Sequence, residues 1–96
     1  MLTVKQRFDK FDTEYPDVYV IFKNMATEAL SCGATVIRPD KIIHRVEWAM
    51  MTHSREPSPE IDLAFGNQYA RKLAEEDPRF QNFFDFRTVH QPSLDG

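Results

Sequence analysis

Proline and glycine punctuation constrains this chain more than any other feature. Six prolines and three glycines divide the 96 residues into short segments. At Tyr15-Pro16, proline disfavours a helical conformation in its predecessor and suits the first turn of a new helix. Gly33 falls where a helix needs a left-handed C-terminal cap. Pro39 fits a first helical position, Pro57 and Pro59 mark a surface loop, and Asp77-Pro78 reads as an N-cap followed by proline. The interior must therefore be assembled from several short elements. Ninety-six residues are too few for two cores, so one domain is expected.

Apolar spacing fills in these segments. Val4, Phe8 and Phe11 share a helical face, with Thr3 as N-cap. Val18, Ile21, Phe22, Met25 and Ala29 follow a three-and-four spacing over residues 17–31. Ala34-Thr35-Val36-Ile37 is short and β-branched, a small strand or an extended connector. After Pro39, Ile42, Val46, Ala49 and Met50 form the apolar stripe of a central helix, which Ile43 and Trp48 either widen or leave. Residues 54–60 read as the loop joining two halves of the domain. Ile61-Asp62-Leu63-Ala64-Phe65 begins with the alternation of a short strand, residues 67–76 form a further helix, and Phe86 suits a closing strand. The phenylalanine cluster at 80, 83, 84 and 86 reads as core, with an exposed docking surface as the alternative. The expected fold is mainly α with short β-strands (α+β), a small compact helical domain over residues 1–87 with a flexible tail over 88–96. The order of elements is similar to a winged helix. It departs from a clean helix-turn-helix because about a dozen residues follow the central helix before the next.

Charge is unevenly distributed. The formal net charge is −3, which attracts neither nucleic acid nor anionic lipid globally. Residues 38–55 carry Arg38, Lys41, Arg45 and Arg55 against Asp40 and Glu47, whereas acidic groups outnumber basic ones after residue 55. Cys32 is the sole cysteine, so no intramolecular disulfide or cysteine metal pair can form, which fits a reducing, cytoplasmic setting. The longest apolar run, Val18 to Phe22, is far below a membrane span, and no leader pattern opens the chain.

The central helix concentrates the candidate binding residues. Lys41, Arg45 and Trp48 recur at four and three residues, a basic ridge ending in an aromatic that suits phosphates, bases or an acidic protein surface. The alternative is that Arg45 pairs locally while Trp48 completes the core. His44 and Glu47 are three apart, the spacing of a metal or acid–base pair, but lack a third ligand. Arg55 and Arg71 add basic candidates. Glu75 and Glu76 form an acidic edge, weakly supported by Arg71 and Lys72 four residues earlier. There is no glycine-flanked serine elbow, no phosphate-cradling loop and no base beside Cys32 in sequence, so a non-enzymatic protein without cofactor or metal is expected.

The blocks Phe8-x-x-Phe11, Tyr15-Pro16-Asp17-Val18-Tyr19-x-x-Phe22, Ile42-Ile43-x-Arg45-Val46-x-Trp48, Tyr69-Ala70-Arg71 and Phe83-Phe84-Asp85-Phe86-Arg87 resemble, in that order, a family of small phage and prophage proteins. Such relatives often carry a lysine and several asparagines before the Tyr-Ala-Arg block, of which only Asn67 is present in this chain. The resemblance implies a phage or prophage accessory protein working in the host cytoplasm. Binding of a host or phage protein, to modulate defence or replication, is the expected activity. A winged-helix-like DNA-binding regulator is the alternative, and self-association through an exposed aromatic face stays open.

Overall fold

The computed structural model describes residues 2–34, 36–53 and 59–86. Four helices carry the fold: α1 (Val4–Glu14), α2 (Pro16–Ser31), α3 (Pro39–His53) and α4 (Phe65–Glu76), followed by a single 3-10 turn at Pro78–Phe80. Each begins or ends on the chemistry its sequence supplies. Thr3 accepts from the Gln6 N–H while the Gln6 side chain accepts from the Thr3 N–H, a reciprocal cap that satisfies two otherwise orphaned donors. Helix α2 closes at Gly33 with φ +85°. There the Ala34 N–H donates to the Ala29 carbonyl at 3.0 Å and the Gly33 N–H to that of Leu30 at 3.1 Å, the double bond of a left-handed cap. Asp77 caps the final turn by accepting from the Arg79 N–H and pairing with its guanidinium at 2.8 Å, which together hold its carboxyl below the ordinary range.

Helix α2 packs on α3, α3 on α4, and α1 lies against both α2 and α4. The core is built from Val18, Phe22 and Ala26 of α2, Ile42, Ile43 and Val46 of α3, and Phe65, Tyr69, Ala70 and Leu73 of α4. Phe80, Phe83 and Phe84 close its end as the sequence leads one to expect, with the rings of Phe83 and Phe84 edge to face at 5.1 Å. Helix α1 buries only Phe8.

The expected α+β fold is not found. Among the described residues there is no strand, and the one β contact is an isolated parallel bridge between Ile37 and Phe84. The Ile37 N–H donates to the Phe83 carbonyl, and the Ile37 carbonyl accepts from the Asp85 N–H, both at 2.9 Å. The bridge cannot lengthen, because Pro39 already begins a helix and Val36 stands at φ +53°, a left-handed conformation that strains a β-branched residue. The alternation at residues 61–65 is overridden by turn chemistry. The Asp62 carboxylate accepts from the Ala64 N–H at 2.9 Å and its carbonyl from the Phe65 N–H at 2.9 Å, which starts α4 two residues earlier than its spacing predicts. Phe86 lies in irregular chain. Without paired strands no wing forms among the described residues, so the likeness to a winged helix is lost. Residues 54–58 of the proline loop, Arg55 among them, and the C-terminal tail lie outside the described residues.

Candidate functional site: the outer face of helix α3

Helix α3 turns Pro39, Ile42, Ile43 and Val46 inward. The opposite face is left with Lys41, His44, Arg45, Trp48, Met51 and Thr52, all exposed. Lys41, Arg45, Trp48 and Thr52 succeed one another at four, three and four residues and so form one stripe, about 16 Å long at the helical rise. Trp48 is 65% exposed and Met51 61%. The indole thus stands outside the core, and the reading in which it completes the interior is corrected. The physical reason is the register of α3: the Ile42–Ile43–Val46 edge already fills the space facing α2 and α4. No ion pair joins Lys41 or Arg45 to any described residue, so local pairing of Arg45 is corrected as well.

His44 and Glu47 approach at 3.9 Å (Nδ1 to Oε1), an ion pair only when the imidazole is protonated. The other oxygen of Glu47 accepts from the Ile61 N–H at 3.5 Å. Glu47 therefore fastens the chain where it returns toward α4. Among the described residues no three His, Cys, Asp or Glu side chains are grouped to hold a metal ion.

The other candidates lie on α4. Asn67, Arg71 and Glu75 follow a four-residue spacing along one stripe. Arg71 sits over the Phe86 ring at 5.6 Å, and no Arg71–Glu75 ion pair forms. No hydrogen bond or ion pair among the described residues links this stripe to the face of α3. Glu76 faces another way, toward Tyr19 of α2.

That direction leads to a constellation absent from the sequence reading. Lys72 pairs with Asp12 of α1 at 2.6 Å and stands 4.2 Å above the ring of Tyr19. Tyr19 in turn stacks on Tyr69 at 6.1 Å. The Tyr69 phenol oxygen is shielded from solvent and makes no hydrogen bond, whereas the Tyr19 hydroxyl faces the Glu76 carboxylate. Burial raises the Tyr69 hydroxyl well above its ordinary pKa, with the Asp12 carboxylate adding to the effect; burial and then Glu76 and Asp12 do the same for Tyr19. Through Asp12, Tyr19, Tyr69 and Lys72 this cluster fastens α1, α2 and α4 together. Sixty residues separate Asp12 from Lys72. No local spacing could have announced the pair, and the expected Lys72–Glu76 support is replaced by it.

Two surface depressions are each lined by a single helix: Asp9, Lys10, Thr13 and Glu14 on α1, and Ile21, Asn24, Met25 and Glu28 on α2. Both are open to solvent. Among the described residues no helix is long and apolar enough to cross a membrane. In comparison with known proteins the chain matches no protein-family model, no curated protein and no solved structure.

Proposed function

We propose that this is a phage or prophage accessory protein that acts in the host cytoplasm by binding a host or phage protein through the outer face of α3. One observation carries the binding reading: Trp48, the largest apolar side chain, is 65% exposed beside two cations with no ion pair to any described residue. Tryptophan and arginine are among the residues most enriched where binding energy concentrates, because the indole buries a large rigid surface and the guanidinium makes several directed hydrogen bonds. Lys41 and Arg45 flank the indole on one side and suit an acidic rim around an apolar pocket. The origin rests on the ordered series of sequence blocks alone, and its expected setting is a coding region among phage genes.

A photoreactive aromatic amino acid placed at position 48 tests the reading in the host cell. It is expected to crosslink one discrete protein, with the crosslink lost when Lys41 and Arg45 are both changed to glutamate. The same probe at Val20, an exposed apolar position on α2, serves as control. Equal, diffuse labelling from both positions would remove the face from consideration. A DNA-binding regulator is the weaker reading, since no wing forms among the described residues to support it. A salt-sensitive shift of duplex DNA, abolished by Lys41→Ala and Arg45→Ala, would nevertheless assign the ridge to nucleic acid.

A further inference from the structure

Helices α1 and α2 are joined by Tyr15 alone, with φ −128° and ψ 67°. Its N–H still donates to the Phe11 carbonyl at 2.8 Å, and its carbonyl accepts from the Val18 N–H at 3.1 Å. Helical bonding thus reaches the junction from both sides, and the bend is imposed by Pro16. Proline lacks the N–H that would bond the Asp12 carbonyl, and in a continuous helix its ring would collide with that carbonyl.

Helix α1 packs on both α2 and α4, and the ring and ion-pair contacts that fix its seat are directed toward α4. Phe8 meets Tyr69 at 4.7 Å and Phe65 at 5.7 Å, and Phe11 meets Phe65 at 5.4 Å. Arg7 pairs with Asp62 at 3.1 Å, and Asp12 with Lys72 at 2.6 Å. All these partners lie on α4 or just before it. Only the Phe11–Tyr15 ring contact, at 4.9 Å, belongs to the hinge. The seat is therefore indifferent to which copy of the chain supplies the helix. An element with one buried side chain also opens at lower cost than the core elements.

We propose that α1 is exchangeable and that two copies of this chain form a reciprocal dimer, each seating its α1 on the α2–α4 surface of the other. Opening at Tyr15 lets the Asp17 and Val18 N–H groups bond the Thr13 and Glu14 carbonyls, extending α1 into α2. The Pro16 ring opposes that extension. The single-copy form is thus the resting state, and exchange grows with concentration. This inference is independent of the α3 face.

Two experiments test it. Pro16→Ala removes the collision and is expected to tighten dimerisation more than about tenfold, read by light scattering after gel filtration. Asp12→Lys and Lys72→Asp are then prepared separately and mixed. Either variant alone sets like charges at positions 12 and 72, whether closed or exchanged with itself; only the mixed exchanged dimer pairs opposite charges in both seats. Native mass spectrometry should show a 1:1 mixed dimer above its statistical share, including when one variant folds poorly by itself. A mixture that stays monomeric, a statistical distribution of dimers, or a Pro16→Ala protein that is monomeric at every concentration would overturn the proposal.

Discussion

Gly66 shows how much one side-chain atom decides at the α3–α4 contact. A Cβ there would lie 3.2 Å from Ile43 Cγ1, 3.2 Å from the Pro39 carbonyl carbon and 3.3 Å from Pro39 Cβ. Ile43 is fully buried, and the carbonyl carbon belongs to a backbone fixed at the start of α3, so neither yields readily. Alanine would return up to about 1 kcal/mol of helix propensity, less near a helix start. Overpacking of this kind costs roughly 1–3 kcal/mol. Gly66→Ala is therefore expected to lower Tm, and a rise would mean that the two helices separate easily. At the same scale the charged side chains divide by use. Lys72 is consumed in holding Asp12, Arg71 covers Phe86, and Lys41 and Arg45 remain unpaired with any described residue. The sequence marks Lys41, Arg45 and Arg71 as binding candidates and Lys72 only as support for Glu76, so the use of Lys72 in holding Asp12 is not legible from it.

Among the elements, the caps follow their signals and the strands do not. Thr3, Gly33, Pro39 and Asp77 act through neighbours within five residues, so their roles are legible from local chemistry. Gly33→Ala isolates one such device. The space around a new Cβ is open, leaving only the left-handed backbone to resist. The substitution should cost about 1–2 kcal/mol, measured by denaturant unfolding, and amide exchange should quicken at Cys32 to Ala34 before it does in α3. An unchanged midpoint would mean that the cap is dispensable to α2. Strand formation, by contrast, needs a partner of matching length. Ile37 finds Phe84 for a single residue before Pro39 turns the chain into α3, and the side chain of Asp62 recruits the backbone at 61–65 into a turn. Alternation over a few residues says nothing about whether such a partner exists.

Across the whole molecule, the aromatic interior couples stability to alkaline pH. The Tyr69 ring meets Phe8 at 4.7 Å and Phe22 at 5.4 Å while its hydroxyl stays unbonded. A phenol whose folded-state pKa lies above its unfolded value, near 10, contributes stability that is complete below that value. The contribution is lost as pH rises through the folded pKa. Tyr19 and Tyr69 are both of this kind. The denaturation midpoint should hold steady up to about pH 9 and fall beyond about pH 10, less steeply in Tyr69→Phe. That variant keeps the ring contacts and removes an unpaired buried hydroxyl, so at neutral pH it should be about 1 kcal/mol more stable. A lower neutral-pH midpoint would reveal a hydrogen-bond partner for the phenol.

Local sequence by itself determined the caps at Thr3, Gly33 and Asp77 and the proline starts of α2 and α3. Each of those outcomes is settled by atoms a few residues apart. Tertiary structure alone decided that Trp48 stands in solvent, that Lys72 reaches back to Asp12, and that Ile37 meets Phe84 for one bridge and no strand among the described residues. Such outcomes depend on which surfaces the packed helices have already filled, a competition between distant segments that no single stretch of chain encodes.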